Sequence, residues 1–230
     1  MIAYLIRHRS WIIPLIMLVL ITPFSADIDL SLSRYFYTRQ EPTGFRSSAF
    51  NDFMFVYGLI PAQLLFISSA ILLFMSCFFK KWRRGYIPSL ILVLTLIIGA
   101  GLIANAILKD HWGRPRPKQV IEFGGNQEFR PFYKPNFFHQ IEPSRSFPSG
   151  HSTMGFYFFT LAIIGRRLNN RKMFITGIVL AIVLGVALSL TRIEQGGHFF
   201  SDTLMSGLIM WWTALICNYC VKDETEFSKL

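Results

Sequence analysis

Three short polar segments of an otherwise apolar chain contain the residues best suited to chemistry. They are "KDHWGRPRP" at 109–117, "FPSGHS" at 147–152 and "TRIEQGGHFFSD" at 191–202. Together they supply several cations, two histidines and a carboxylate. Cations bind phosphoryl oxygens and a histidine can attack phosphorus, so this set of side chains predicts phosphoryl transfer through a histidine nucleophile.

The first segment concentrates positive charge beside prolines that stiffen the chain. Lys109, Arg114 and Arg116 follow one another closely, directly after an apolar stretch. Guanidinium groups pair with phosphate oxygens bidentately, so a rigid cluster of this kind suits a phosphate. The alternative is a set of cations that snorkel to a membrane interface.

The second segment has the pattern of a helix that begins at a serine cap. Pro148 ends the preceding conformation, and Ser149 is a candidate N-cap. The backbone amides of Ser149, Gly150 and His151 then point out of the helix N-terminus, where an anion binds favourably. Capped helix starts near a histidine are common, so His151 by itself is weak evidence of function.

The third segment places a histidine four residues before an aspartate. If a helix begins near His198, Asp202 lies on the same helix face. A carboxylate hydrogen-bonded to one imidazole nitrogen fixes the tautomer and leaves the other nitrogen free to react. Alone, the segment is better interpreted as a hydrogen-bonded His–Asp pair in a polar connection between membrane spans. Glu194 receives no role.

The elements that position these segments are predicted to be membrane-spanning helices. The chain of 230 residues is 52% hydrophobic and 16% charged, whereas soluble domains carry about 25% charged residues. We therefore expect an all-α, polytopic membrane protein in one domain, 1–230. Its six predicted spans are 10–25, 54–79, 86–108, 150–165, 173–190 and 203–220.

Short basic loops predict the orientation of these spans. Arg7 and Arg9 precede the first span, and basic clusters at 80–84 and 166–172 join later ones. The positive-inside rule makes these segments cytoplasmic, together with both termini. All three polar segments then face outward, on one side of the membrane. The net charge of +10 is assigned to topology and lipid head groups rather than to nucleic acid.

Two further sequence features have unremarkable interpretations. The N-terminus resembles a signal peptide, but Phe24 occupies a position where cleavage requires a small residue, which favours an uncleaved first span. The C-x-x-C at Cys217 and Cys220 ends the last apolar segment without a second pair, as ordinary cysteines of a membrane helix would. A metal site built from His151, His198 and Asp202 is the alternative to a phosphate site, and neighbouring cations disfavour it.

At the three polar segments the chain resembles the type-2 phosphatidic acid phosphatase superfamily, which includes vanadium haloperoxidases. The motifs of that superfamily read K-x6-RP, PSGH and SR-x5-H-x3-D. They correspond here to 109–117, 148–151 and 191–202, with Thr191 in place of the usual serine. The first and third segments also resemble, more loosely, bacterial lipid A phosphatases.

The resemblance implies a metal-independent phosphatase without a cofactor. His198 would attack phosphorus and form a phosphohistidine, Asp202 would orient it, and His151 would protonate the leaving oxygen and later assist water. The phosphoryl oxygens would be held by a set of cations and amides: Lys109, Arg116, Ser149, Gly150 and Arg192. Arg114, outside the motif, would be an accessory cation for a second phosphate or the head group. Because His198 must be neutral and His151 charged, we expect a bell-shaped dependence of the rate on pH.

The substrate implied by an outward interfacial site is a membrane lipid, with lipid A as the first choice. Undecaprenyl pyrophosphate, phosphatidylglycerol phosphate and phosphatidic acid remain alternatives, as does phosphoryl transfer to another lipid. A transporter or scaffold that retained the pocket is the non-enzymatic alternative. The expected location is a bacterial inner membrane, with the active site at its periplasmic face.

Overall fold

The computed structural model describes residues 2–39, 44–46, 48–138 and 144–221, and its regular structure is helical. The helices are α1 Ile2–Ile21, α2 Ser25–Phe36, α3 Ala49–Tyr57, α4 Ile60–Phe78, α5 Tyr86–Thr95, a π-helix Leu96–Lys109, α6 Gly150–Phe156, α7 Phe159–Arg167, α8 Arg171–Glu194 and α9 Phe200–Cys220. Single 3₁₀ turns lie at Thr22–Phe24, Lys80–Gly85, Pro117–Gln119 and Ile121–Phe123.

Five helical stretches of the described chain are long and apolar enough to cross a membrane. They are Arg9–Phe36, Ala49–Phe78, Lys80–Lys109, Arg171–Glu194 and Phe200–Cys220. Each overlaps a predicted span and extends beyond it into polar sequence. The predicted span 150–165 differs, because a turn at Tyr157 and Phe158 divides it into the short helices α6 and α7.

Polar side chains at the helix starts explain why helices begin inside polar sequence. Ser48 accepts a hydrogen bond from the Asn51 amide at the start of α3, and Asn170 accepts one from the Met173 amide at the start of α8. These side chains satisfy amide groups that the first helical turn leaves free.

Small residues bring α6 and α7 close to α8. A Cβ atom on Gly155 would lie 2.6 Å from the Gly185 Cα, and one on Gly177 would lie 2.3 Å from the Ala162 nitrogen. Apolar side chains gain little by leaving lipid for protein, so membrane helices associate through close backbone packing of this kind. The contact fixes α6, which carries His151, against α8, which carries Arg192.

The polar segments meet at one end of the helix bundle, and the basic clusters lie at the other. The helical stretch Lys80–Lys109 begins in one basic cluster and ends at Lys109 of the first polar segment. Helix α8 begins at Arg171, in the other basic cluster, and ends at Arg192 and Glu194 of the third polar segment. At the basic end, Arg166 donates to the Ser10 hydroxyl at 2.7 Å and Arg167 donates to the Asn218 carbonyl at 2.8 Å.

An apolar cluster covers the bundle at the end with the polar segments. Phe36 of α2, Val120 and Phe123 of the loop after the π-helix, Ile193 of α8 and Phe199 pack together and are buried. The cluster fixes the loop that follows Lys109 onto the starts and ends of the long helices.

Candidate active site

His198 is buried in the connection between α8 and α9, and its tautomer is set by a backbone carbonyl. Its side chain is 2% exposed, and Nδ1 lies 2.6 Å from the Ser146 carbonyl oxygen. A carbonyl only accepts hydrogen bonds, so Nδ1 carries the proton and Nε2 keeps its lone pair. Burial lowers the pKa of His198 to about 4, against the opposing charge of Asp202. The imidazole is therefore neutral near pH 7.

Asp202 does not hydrogen-bond His198 directly, in contrast to the expected pairing. Its Oδ2 lies 3.8 Å from Nδ1 of His198, beyond hydrogen-bond distance. The same oxygen accepts from the Ser146 hydroxyl at 2.7 Å and from the Phe199 amide at 2.8 Å. Asp202 thus holds the residue whose carbonyl orients His198, and it caps α9.

Arg114 lies in a buried network rather than at the surface. Its guanidinium donates to Asp29 at 2.8 Å, to the Ser201 hydroxyl at 2.8 Å and to Asp202, and its Nε donates to the Arg130 carbonyl. The Arg114 side chain is 1% exposed. The expectation that Arg114 reaches a second phosphate is corrected accordingly, because carboxylates and a carbonyl already occupy its donors.

Arg192 lies against a glycine and retains an unpaired donor. Its Nη1 donates to the Gln195 side chain at 2.6 Å, and a Cβ atom on Gly197 would lie only 2.2 Å from its Nη2. Any other residue at 197 would displace the guanidinium. The Arg192 Nε is buried and has no hydrogen-bond partner among the described residues, which suits an incoming anion.

Lys109 and the start of α6 are adjacent. A Cβ atom on Gly150 would lie 3.2 Å from the Lys109 ammonium nitrogen, so the glycine gives the cation room beside the helix start. Ser149 caps α6, and its carbonyl accepts from the Ser206 hydroxyl of α9 at 2.9 Å. These contacts fix the backbone of Ser149 and Gly150, which are two of the predicted phosphate-binding residues, relative to α9.

Arg116 is half-buried, and Lys118, a lysine missed by the sequence analysis, lies near it. Partial burial lowers the pKa of Lys118, and the charges of Arg116 and Arg192 lower it further. Lys118 also donates its backbone amide to the Gly196 carbonyl at 3.3 Å. The loop after the π-helix is thereby tied to the glycine pair before His198, with its cations on the side of Arg192.

His151 lies within electrostatic reach of these groups, outside the five candidate spans. Burial lowers its pKa to about 4, with a further contribution from the charges of Arg192 and Lys109. The free protein therefore favours neutral His151, whereas a charged imidazole was expected. A bound phosphate offsets the neighbouring cations and favours the protonated form.

Two further residues at this end of the bundle were assigned no role from sequence. Phe55 of α3 stacks on the His151 ring, with centroids 4.6 Å apart. Glu194 accepts a hydrogen bond from the Asn51 side chain at 2.9 Å, which ties α3 to α8. A charged residue in an apolar helix end was the available signal for Glu194, and nothing in the sequence distinguished Phe55 from its neighbouring aromatics.

Comparison with known proteins gives one family and several relatives. The model of the family described as "PAP2 superfamily" matches residues 88–226. The lipid A 4'-phosphatase of Francisella tularensis subsp. novicida (strain U112) is 34% identical over 165 residues, 69% of this chain and 72% of the relative. No solved structure matches the chain significantly.

Two Rhizobium proteins match shorter parts of the chain. The lipid A 4'-phosphatase of Rhizobium leguminosarum is 30% identical over 57% of this chain and 52% of its own length. The lipid A 1-phosphatase of Rhizobium etli (strain ATCC 51251 / DSM 11541 / JCM 21823 / NBRC 15573 / CFN 42) is 30% identical over 60% of this chain and 50% of its own. The chain thus spans about half the length of these two relatives.

Proposed function

Because the chain belongs to the PAP2 superfamily, we propose that it is a membrane lipid phosphatase whose substrate is lipid A. The observation that carries the proposal is the buried, neutral His198, whose Nδ1 is bound by a carbonyl at 2.6 Å while cations surround the site. An imidazole held in this state presents Nε2 as a nucleophile. The cations supply the positive charge that a phosphoryl group requires, without a metal ion.

The first chemical step forms a phosphohistidine. Nε2 of His198 attacks phosphorus, and the bond between phosphorus and the lipid oxygen breaks. Protonated His151 donates its proton to that oxygen, so the lipid leaves as an alcohol. Lys109, Arg116 and Arg192, with the Ser149 and Gly150 amides, hold the phosphoryl oxygens. Removal of one donor from a site of this kind typically lowers kcat about 10²–10³-fold.

The second step releases phosphate. Neutral His151 accepts a proton from water, whose oxygen attacks phosphorus while the bond to Nε2 breaks. Ser146 and Asp202 keep the proton on Nδ1 throughout, so His198 returns to its starting tautomer. His151 is thereby left protonated, as in the reactive complex, and it loses that proton once phosphate leaves the site.

The 4'-phosphate of lipid A is the proposed point of attack. The relative from Francisella, which is named a lipid A 4'-phosphatase, aligns over about seven-tenths of both chains. The relative named a 1-phosphatase aligns over half of its own length. The whole chain then acts as one membrane-embedded domain, 1–230, with its catalytic motifs within 109–202.

The proposed setting is the inner membrane of a bacterium, with the site at the outward face. A sixth crossing through α6 and α7 would complete six spans. Support comes from the separation of charges: basic clusters gather at the bundle end opposite His198, and the positive-inside rule makes that end cytoplasmic.

The decisive experiment is a phosphate-release panel with purified protein. Lipid A, undecaprenyl pyrophosphate, phosphatidylglycerol phosphate and phosphatidic acid are compared, each with and without EDTA. We expect the highest kcat/KM for lipid A, no effect of EDTA, and a product that tandem mass spectrometry shows to lack the 4'-phosphate. Preference for another lipid would overturn the substrate, and phosphate appearing only on an acceptor lipid would indicate a transferase.

His198→Ala is the matched control for the enzymatic assignment. The variant is expected to release no phosphate. Loss of the buried ring leaves a cavity and an unpaired Ser146 carbonyl, so its unfolding midpoint is expected to fall while the protein still unfolds cooperatively. Unchanged phosphate release by the folded variant would exclude His198 as the nucleophile and favour the transporter or scaffold alternative.

A further inference from the structure

Phe55 contacts two residues of the proposed active site with one ring. Its ring and the His151 imidazole lie 4.6 Å apart at an interplanar angle of 17°, which is a stacked arrangement. The guanidinium carbon of Arg192 lies 4.8 Å from the centroid of the same ring. His151 begins α6 and Arg192 ends α8, so Phe55 is a shared contact of two separate elements.

The helix that carries Phe55 is anchored next to the site. Asn51 is 2% exposed and donates to Glu194, two residues after Arg192, at 2.9 Å. At the other end of α3, a Cβ atom on Gly58 would lie 2.7 Å from a methyl carbon of Leu188 in α8. These contacts fix α3 along α8 on both sides of Phe55.

The face of an aromatic ring is negative and attracts cations. Arg192 is charged at all times, whereas His151 is charged only when it is ready to donate a proton. A stack with Phe55 therefore stabilises the protonated imidazole more than the neutral one. The cations that oppose this charge are Arg192 of α8 and Lys109 of the π-helix; His198, in the connection before α9, opposes it only when it is itself protonated.

We propose that Phe55 is a positioning residue that orients His151 for proton donation and holds Arg192 for phosphate binding. The kinetic consequences of this role rest on the proposed function. It places a determinant of the reaction in α3, outside residues 88–226 that match the family model.

The kinetic test compares Phe55→Leu with Phe55→Tyr and Phe50→Leu. Leucine keeps apolar bulk and removes the ring, tyrosine keeps the ring, and Phe50 is a 62% exposed residue of the same helix. Phe55→Leu is expected to lower kcat/KM by about tenfold and to shift the basic limb of the kcat profile by about half a pH unit toward acid. Phe55→Tyr restores both quantities, and Phe50→Leu leaves both unchanged.

A spectroscopic arm tests the stack without turnover. Protein with ¹³C-labelled histidine is studied in detergent, and the His151 signal is assigned by its loss in His151→Gln. The stacked Phe55 ring shifts the His151 Cε1 proton signal, and that shift is expected to vanish in Phe55→Leu and to persist in Phe55→Tyr. Wild-type protein that shows the shift but releases no phosphate would refute the proposed function and leave the stack intact.

Two outcomes overturn the positioning role. One is a Phe55→Leu protein whose kinetics and His151 signal match those of Phe50→Leu. The other is a loss of activity in Phe55→Leu with an unmoved pH profile that Phe55→Tyr fails to restore, because such a loss reflects helix packing alone.

Discussion

Arg114 and Arg116 are two residues apart and have opposite roles, which gives the sharpest prediction at the scale of single residues. Arg114 is buried between Asp29 and Asp202, so Arg114→Gln leaves two carboxylates without their cation. Breaking a buried ion pair costs about 3–5 kcal/mol, and we expect a correspondingly lower unfolding midpoint. Thermal unfolding in detergent, followed by intrinsic fluorescence, measures the change.

Arg116→Gln is the matched variant. Its stability is expected to stay within about 0.5 kcal/mol of wild type because Arg116 is only half-buried. Its kcat/KM is expected to fall about 10²-fold through loss of a phosphate donor. The interpretation fails if Arg114→Gln unfolds like wild type yet loses turnover selectively, since that would make Arg114 a ligand of the substrate.

The two histidines predict an acidic optimum for kcat/KM. His198 must be neutral to attack, and its pKa near 4 means that activity falls only as the pH drops through about 4. The reactive complex also needs one proton on His151 or on the phosphate, and both are deprotonated in the free components above about pH 6. A bell with limbs near pH 4 and 6 is expected in initial rates at low substrate concentration.

A control separates this ionisation from denaturation of the protein. Wild-type protein incubated at each pH and returned to pH 5 is expected to recover full activity. A flat rate between pH 5 and 9 would contradict the role of His151 as proton donor, and a rate that does not fall below pH 4 would contradict the need for neutral His198.

Sequence spacing predicted the members of the candidate site better than their contacts. The i,i+4 pattern brought His198 and Asp202 to one helix turn, but the carbonyl of Ser146 orients the imidazole. A backbone acceptor from a segment 52 residues away has no residue-type signature. The burial of Arg114 likewise depends on Asp29 of α2. The lengths of the apolar runs do not indicate that these two residues meet.

At the scale of elements, glycine contacts between α6 and α8 set the distance between His151 and Arg192. In Gly155→Ala the added Cβ meets the Gly185 Cα at 2.6 Å, a contact that only movement of the helices relieves. Overpacking of this kind costs about 1–3 kcal/mol. We expect a lower unfolding midpoint and a lower kcat/KM, measured by thermal unfolding and phosphate release.

Gly101→Ala makes the same chemical change in open space. Its Cβ meets the Leu96 carbonyl oxygen at 3.8 Å, an ordinary contact. Stability and turnover are expected to remain those of wild type. Equal effects of the two substitutions would show that the α6–α8 contact does not set the geometry of the site.

Apolar run length predicted six spans, because a span of bilayer requires about 20 apolar residues, and five of them overlap long apolar helical stretches of the described chain. It missed the extension of the first stretch to Phe36, where buried Ser25, Asp29 and Ser33 repeat every four residues on one helix face. It also missed the turn that separates α6 from α7. Both features depend on contacts with other helices, which hydropathy does not describe.

For the whole molecule, the opposite placement of cations and active site predicts the topology in the membrane. Arg166 binds Ser10 and Arg167 binds Asn218, so Ser10 of α1 and Asn218 of α9 lie at the basic end of the bundle. From the positive-inside rule we predict that this end is cytoplasmic and that His198 lies on the outer side. In that orientation the site would meet the lipid head groups of the outer leaflet.

Cysteine labelling in spheroplasts tests this orientation. Cys77, Cys217 and Cys220 are replaced by serine, and single cysteines are introduced at exposed Lys134, beyond the π-helix, or at exposed Lys81, in the basic turn. A membrane-impermeant maleimide is expected to label Lys134→Cys in intact spheroplasts and Lys81→Cys only after permeabilisation, because the bilayer separates the two ends of the bundle. The reverse pattern would place the active site in the cytoplasm and exclude lipids of the outer leaflet as substrates.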